Sequence, residues 1–366
     1  MGTLLTFIII LGVLVFVHEL GHFVAARIAG VGVNEFGFGF PPRLWSVKRK
    51  NTTYSVNWIF VGGFVRLHGE DGEENDANSF TVQRPWKRAA ILLAGVVMNV
   101  VLAWVIFSTG FLVGLPTDVT SGTPAGSHLR NEQVQIVDVA TGSGAAKAGL
   151  QTGDAIVSLN GVTITSVSQA QEVTKTAGAA TIEVVYRHSN KEVHAPVTLA
   201  LIPGTTTTGL GVGLVQAGLV SFPFFQSLWE GMRATGTSLV AIVVALWGFL
   251  VNLVVHHQVG ADVAGPVGIA VLTGQVARLG FAYLLQFAAL LSLNLAIINI
   301  LPIPALDGGR ILFLIIEKLR GKPLSRNAEA RIHNTGFVAL LALIALVTLR
   351  DVVHLQFIQD LWKKIF

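Results

Sequence analysis

The chain of 366 residues is 52% hydrophobic and 13% charged, with a mean hydropathy of +0.64. Soluble domains carry about 25% charged residues, so this composition excludes an ordinary soluble protein and indicates an integral membrane protein. Because the chain has no cysteine, disulfide partners and thiolate zinc ligands are excluded, and a metal would have to be held by His, Asp or Glu. The net charge of +4 comes without a compact basic cluster, which argues against nucleic-acid binding.

Five apolar stretches are candidates for crossing the membrane, because about 20 residues are needed to span roughly 30 Å of hydrocarbon. They cover residues 4–26, 89–115, 232–255, 283–301 and 335–349. The first could instead be a signal peptide, but the three residues before it carry no basic charge and its apolar run continues to the basic residue that follows. We therefore predict a transmembrane helix there.

Basic residues predict the orientation of these spans. Residues 27–88 carry nine Lys or Arg and residues 307–333 carry six, whereas residues 116–230 carry five against eight acidic residues. By the positive-inside rule, the two basic segments are cytoplasmic and the region 116–230 is extracytoplasmic. If residues 232–255 crossed the membrane, the basic segment 307–333 would lie on the extracytoplasmic side. We therefore predict that residues 232–255 associate with the membrane without crossing it. The sequence therefore predicts about four transmembrane helices.

The motif His18-Glu19-Leu20-Gly21-His22 lies inside the first apolar stretch. Histidines four residues apart share one face of a helix, so both imidazoles can point at one cation. Glu19 is then placed to take a proton from an attacking water. The alternative is a polar helix face that lines a bundle interior or a proton path. We favour a metal site, for which two histidines supply too few ligands.

A third ligand is expected in another polar group that lies in an apolar setting. The stretch "NLAIINILPIPALDGGR" ends a hydrophobic span, with Pro302 and Pro304 breaking its helix and Gly308 permitting close backbone approach. Asp307 is our candidate. The alternative is that Asp307 caps the helix that starts near Gly308. Topology favours the ligand, because the predicted orientation brings Asp307 and the histidine motif to the cytoplasmic side.

Six motifs together resemble one family. They are HELGH at 18–22, GFGF at 37–40, VGGFVRL at 61–67, RAAILLAGVVMN at 88–99, GPVGIA at 265–270 and NILPIPALDGG at 299–309. In this order they resemble the site-2 protease family of intramembrane zinc metalloproteases, in its bacterial RseP-type branch. The resemblance implies Zn²⁺ as cofactor, with His18, His22 and Asp307 as ligands and Glu19 as catalytic base.

The resemblance also implies substrate-binding residues. Asn299 is expected to contact substrate, and Gly62, Gly63 and Phe64 are expected to lie on a membrane-associated, re-entrant β-hairpin. A helical substrate must unwind to be cut, and an edge strand can replace its lost backbone hydrogen bonds. The alternative for residues 52–68 is an ordinary cytoplasmic hairpin.

The sequence "AAKAGLQTGDAIVSLNG" at 145–161 resembles a PDZ domain, and residues 166–177 are predicted to form the helix beside its groove. Such a groove would bind peptide ends or strands, or the domain would act as a steric filter against bulky ectodomains. Both alternatives stay open at this point. Four parts are expected: an N-terminal membrane part, the extracytoplasmic PDZ-like domain, a membrane-associated amphipathic segment and a C-terminal membrane part, at 1–115, 116–215, 216–282 and 283–366.

The expected function is zinc-dependent cleavage of transmembrane segments in single-span membrane proteins, such as anti-sigma factors or signal-peptide remnants. The expected location is a bacterial inner membrane, with the lipid bilayer as a partner, the active site toward the cytoplasm and a substrate trimmed beforehand by another protease. The alternatives are a non-proteolytic, zinc-binding PDZ scaffold and a metal transporter. The presence of Glu19, which a scaffold would not need, favours the enzyme.

Overall fold

The computed structural model describes residues 2–70, 76–140, 142–188, 191–201, 208–255, 264–322 and 325–354. The helices are α1 (Gly2–Ala29), α2 (Pro85–Val113), α3 (Gly144–Lys147), α4 (Val167–Ala177), α5 (Phe224–Val255), α6 (Pro266–Leu279), α7 (Phe281–Ile300), α8 (Asp307–Arg320) and α9 (Arg326–His354). The strands are β1 (Val33–Arg49), β2 (Thr52–Leu67), β3 (Leu115–Asp118), β4 (His128–Val139), β5 (Ala155–Leu159), β6 (Val162–Thr163), β7 (Thr181–His188), β8 (Lys191–Thr198), β9 (Ala200–Leu201), β10 (Thr208–Gly209) and β11 (Val212–Ser221).

Five of these helices are long and apolar enough to cross a membrane: α1, α2, α5, α7 and α9. Each contains most or all of one apolar stretch of the sequence, so the chain is a polytopic α-helical membrane protein. Helix α5 qualifies as a span by length and composition, with 32 residues. The interpretation that residues 232–255 lie in the membrane without crossing stays a prediction.

The chain forms two compact units. The first, here called the membrane unit, comprises residues 1–106, 232–277 and 287–366. The second contains the predicted PDZ-like domain, is here called the PDZ unit for that reason, and comprises residues 107–231 and 278–286. The predicted PDZ range of 116–215 lies inside the second unit. Strand β11 continues to Ser221 because it pairs with both β3 and β4, so the sheet extends past the predicted domain end.

The membrane unit contains a sheet made of β1 and β2. The turn between the two strands falls at residues 50–51, and Phe36 of β1 lies opposite both Tyr54 and Val65 of β2. The sequence predicted strands within 52–68 but did not assign residues 33–49, which are rich in glycine and proline and lack a clean alternation. The glycine pair therefore lies inside β2 rather than at the turn, and Gly62 has a φ of +86°.

A small buried cluster joins the elements that carry the predicted site. Its members come from α1, the two strands, α2, α8 and two connecting segments: Ala26, Val31, Val33, Leu67, Phe80, Ile91, Leu92 and Leu314. Since these side chains are almost fully removed from solvent, moving one element relative to the others would expose apolar surface at about 25 cal/mol per Å². The cluster therefore fixes α1, α2, α8 and the sheet relative to one another.

The PDZ unit is built on one antiparallel sheet with the strand order β3-β11-β4-β5-β7-β8, and β6 pairs with β5. Alternate residues of the strands point into a core that α4 covers. Ser166 caps α4 by accepting a hydrogen bond from the Gln169 amide, at 3.2 Å. Asn160, at a φ of +49°, and Gly161 form the tight turn that the sequence predicted between β5 and β6.

Candidate metal centre

The two histidines of α1 converge with a carboxylate from the far end of the chain. The Nε2 atoms of His18 and His22 lie 3.1 Å apart. Oδ2 of Asp307 lies 2.9 Å from Nε2 of His18 and 3.4 Å from Nε2 of His22. Both histidines are buried and Asp307 is nearly so. The structure therefore brings the three predicted ligands together, although 289 residues separate His18 from Asp307.

The loop between α7 and α8 aims Asp307 at the histidines. Leu306 is the N-cap of α8, and no side chain makes a capping hydrogen bond there, so Asp307 is not used as a cap. A Cβ atom on Gly308 would overlap the carbonyl oxygens of Ile300 and Leu301. Only glycine fits this close approach, which the sequence predicted from its glycine pair.

The donor set suits zinc in chemistry and in size. Tetrahedral zinc with ligand bonds of about 2.0–2.1 Å holds its donor atoms about 3.3 Å apart. The three separations of 2.9, 3.1 and 3.4 Å are close to that value. As a carboxylate, Asp307 supplies the anionic oxygen that a metal ligand needs.

Partners on α2 hold the outer nitrogen of each imidazole. Nδ1 of His22 lies 2.8 Å from the carbonyl oxygen of Ile91, so this nitrogen donates and Nε2 keeps its lone pair for the centre. Nδ1 of His18 faces the amide of Asn99, whose Oδ1 is buried without a partner among the described residues. The NH₂ group and Oδ1 of the Asn99 amide have nearly the same size, so the amide can be rotated by half a turn to exchange them. In that orientation Oδ1 of Asn99 accepts the proton on Nδ1 of His18. Both Nε2 atoms are then free to bind a cation.

Two glycines allow α1 and α2 to approach closely at this point. A Cβ atom on Gly95 of α2 would lie 2.5 Å from Nε2 of His22 and 2.8 Å from Cε1 of His18. On α1, a Cβ atom on Gly21 would lie 2.7 Å from Cγ of Met98. A side chain at either position would force the helices apart or displace the imidazoles. The glycines therefore make room for the histidine pair.

Strand β2 positions the predicted catalytic base. The backbone N–H of Val65 donates to Oε2 of Glu19, at 3.1 Å. Residues 62–65 run beside α1, because a Cβ atom on Gly62 would lie 3.1 Å from Val15 and one on Gly63 would lie 3.8 Å from Cγ of Glu19. One carboxylate oxygen of Glu19 is thus fixed by the sheet, which leaves the other for chemistry at the centre.

The predicted substrate-binding residues lie on two different elements, β2 and α7. Gly62 and Gly63 are buried beside α1, and Phe64 is half-buried with its ring 6.4 Å from that of Phe40. Asn299 is half-buried in the last turn of α7, and its side chain makes no hydrogen bond to the described residues. Its amide is therefore available to a ligand.

Sequence reasoning assigned no role to Asn99 or Gly95, although both lie in a motif that supported the family resemblance. Asn99 is an uncharged polar residue within a long apolar stretch, and such a residue usually faces the interior of a helix bundle. That signal was present in the sequence. Which imidazole Asn99 faces depends on the packing of α1 against α2, and this cannot be obtained from either helix alone.

The PDZ unit has a cavity of its own between α4 and the strands β10 and β11. Its volume is about 510 Å³. The sequence predicted a groove beside this helix, and the cavity lies there. It is lined by Ala170, Gln171, Thr174 and Lys175 of α4 and by Thr208, Gly209, Leu210, Gly211, Val212 and Leu214.

Comparison with known proteins relates the whole chain to metalloproteases. The regulator of sigma-W protease RasP of Bacillus subtilis is 32% identical over 435 residues, covering 97% of this chain and 99% of the relative. The zinc metalloprotease RasP of Bacillus licheniformis is 31% identical over 441 residues, covering 97% of this chain and 100% of the relative.

Among solved structures, the PDZ domain of the SdrC-like protein of Listeria monocytogenes is similar, at 24% identity and a TM-score of 0.22. That similarity covers 24% of this chain and 92% of the Listeria domain. The family model described as "Peptidase family M50" matches residues 6–343 of this chain. The chain therefore belongs to peptidase family M50, the site-2 proteases, and is a membrane-bound zinc metalloprotease of that type.

Proposed function

We propose that this metalloprotease is an endopeptidase that cleaves the transmembrane segments of single-span membrane proteins, with His18, His22 and Asp307 as zinc ligands and Glu19 as catalytic base. The observation that carries the proposal is the convergence of two Nε2 atoms and one carboxylate oxygen within 3.4 Å, beside Glu19 and inside an apolar helix. A peptidase site at this position has substrates that also lie in the membrane.

The residues divide the chemistry among them. Zinc, when bound, supplies Lewis-acid polarisation of the scissile carbonyl and lowers the pKa of a water to about 7. Glu19, held by the Val65 amide, takes the proton of the attacking water and returns it to the leaving nitrogen. The side-chain amide of Asn299 is free to hydrogen-bond the unwound substrate backbone.

The outer edge of residues 63–67 is proposed to bind the unwound substrate as an added strand. Backbone groups of a peptide in hydrocarbon need partners, and β-augmentation supplies them. The adjacent part of the sheet is apolar and exposed, as expected of a hairpin that enters the membrane: Trp45, Trp58 and Ile59 are each at least half-exposed. Gly62, Gly63 and Phe64 would then contact the substrate.

The basic segments 27–88 and 307–333 support a site that faces the cytoplasm, with the PDZ unit outside the cell membrane of a bacterium. Substrates such as anti-sigma factors or signal-peptide remnants fit this arrangement. The name of the Bacillus subtilis relative, a regulator of sigma-W, favours the first class. The PDZ unit would admit substrates that another protease has already trimmed.

The test is cleavage of a single-span model substrate by the purified protein in proteoliposomes. We expect the wild type to cut within the apolar segment. We expect Glu19→Gln to bind the substrate without cutting, and a chelator to abolish cutting until zinc is restored. Cleavage by Glu19→Gln at the wild-type rate would disprove the assigned mechanism. Cleavage confined to the substrate's aqueous domains would disprove the intramembrane assignment.

A further inference from the structure

The outer edge of β2 carries two backbone amides that do not pair with β1. The Val65 amide donates to Glu19, and the Leu67 amide donates to Oε2 of Glu70, at 3.2 Å. Residues two apart on a strand present their amides at the same edge. Both amides are therefore taken by carboxylates of this chain, and the carbonyl oxygen that Val65 presents at the same edge is left for the backbone of a substrate strand.

Glu70 also reaches the helix that carries Asp307. Its second oxygen, Oε1, accepts a hydrogen bond from Nη1 of Arg310. Arg310 lies three residues after Asp307, within the first turn of α8. One carboxylate thus joins the end of β2 to the start of α8.

The surroundings make this connection stiff. The Glu70 side chain is 17% exposed and that of Arg310 is 33% exposed, so salt and water screen this ion pair less than a surface pair. Both residues line a cavity of about 320 Å³, and Glu329 and His333 of α9 line it as well. His333 accepts a hydrogen bond from the Ala305 amide, at 3.3 Å, in the loop that precedes Asp307.

We propose that Glu70 and Arg310 are positioning residues that set the distance between the substrate-binding edge and Asp307. This inference rests on the proposed function. Asp307 needs to bind the metal while a substrate strand on β2 presents its carbonyl to the same centre. A rigid connection from β2 to α8 keeps the substrate carbonyl and Asp307 at a fixed distance from each other. This distance matters because a small misplacement of reacting groups is costly in rate.

A matched control is present on the same helix. Glu317 of α8 is 15% exposed and pairs with Arg88 of α2, at 3.3 Å. Glu70→Gln and Glu317→Gln therefore each remove one mostly buried carboxylate charge bound to an arginine. The first change breaks the connection to the edge strand, and the second breaks a connection to α2. Glutamine at position 70 can still accept from the Leu67 amide.

The experiment measures kcat and KM on a single-span substrate, substrate binding in a Glu19→Gln background, and retention of zinc against a competing chelator. We expect Glu70→Gln to lower kcat/KM about tenfold or more, because a small misplacement of the reacting groups costs that much in rate. We also expect weaker substrate binding without turnover. Glu317→Gln should stay within about twofold of wild type in both, since it leaves the connection between β2 and α8 in place.

The outcomes separate this inference from the proposed function. If Glu70→Gln matches Glu317→Gln in kcat/KM, binding and zinc retention, the inference is wrong. If the wild type binds substrate but does not cut it, the proposed function is wrong, and the binding and zinc measurements still judge the inference. Should Glu70→Gln not fold, Arg310→Lys replaces it. We expect Arg310→Lys to show the same pattern, and wild-type values would overturn the inference.

Discussion

The side-chain amide of Asn99 lies 3.3 Å from Nδ1 of His18, at a position that is fully buried between helices α1 and α2. Because the outer nitrogen of a metal-binding histidine usually donates to an acceptor, this contact fixes both the ring orientation and the tautomer of His18. The imidazole is thereby held with its Nε2 atom beside Oδ2 of Asp307.

Replacing Asn99 should therefore weaken zinc binding without unfolding the protein. We expect Asn99→Leu to lower zinc affinity by about 10- to 100-fold, measured by competition with a chromogenic chelator. Asn99→Asp keeps an acceptor for the Nδ1 proton and should retain more affinity than the leucine variant. Equal affinity of the wild type and Asn99→Leu would show that Asn99 only fills space.

Gly95→Ala should abolish activity, because its added methyl group would lie 2.5 Å from Nε2 of His22. The expected result is loss of bound zinc per protein, determined by elemental analysis after gel filtration. Gly248→Ala in α5 is the control, since a Cβ atom there meets nothing within 4 Å. A zinc content equal to that of Gly248→Ala would contradict the proposed position of the metal.

Asp307→Ala should leave a site with two histidines, which holds zinc weakly. We expect no detectable cleavage, and a zinc content below one-tenth of the wild type after dialysis against a mild chelator. Asp76→Ala removes an exposed carboxylate that pairs with His68 and should behave as wild type. Full zinc retention in Asp307→Ala would rule out Asp307 as the third ligand.

Asp154 should be a main polar support of the PDZ unit. Its side chain is nearly fully buried, lies 2.7 Å from Nδ1 of His188 and accepts from the Gln151 amide at 2.8 Å. Asp154→Ala leaves these donors without an acceptor, so we expect a loss of about 1–3 kcal/mol in the free energy of unfolding. Chemical denaturation of the full chain, followed by hydrogen exchange of β5 and β7, measures it. His188→Ala should cost less, because its side chain is 41% exposed.

The sequence predicted most of the metal centre for a simple reason. Helical spacing alone places His18 and His22 on one face, and a lone aspartate after a broken apolar helix is a conspicuous third candidate. Charge counting predicted that all three residues lie toward the cytoplasmic side, and that orientation stays a prediction. The structure brings these side chains together, and their roles stay predictions until zinc binding is measured.

The sheet and the outer contacts of the centre were harder to predict. Residues 33–49 form a strand because their pairing with 52–67 supplies the backbone hydrogen bonds, although their local sequence is unfavourable for a strand. The Val65 amide that holds Glu19 is a backbone group, and every residue except proline has one. No residue type marks such a contact in a sequence.

The separation of 289 residues between His18 and Asp307 has a consequence for biosynthesis. A ribosome delivers both histidines, the sheet and the whole PDZ unit before it delivers the third proposed ligand. The nascent chain would therefore enter the membrane with an incomplete site, which is completed when α8 packs against α1 and α2. With Asp307 as the proposed third ligand, proteolysis would begin only after α8 has been synthesised.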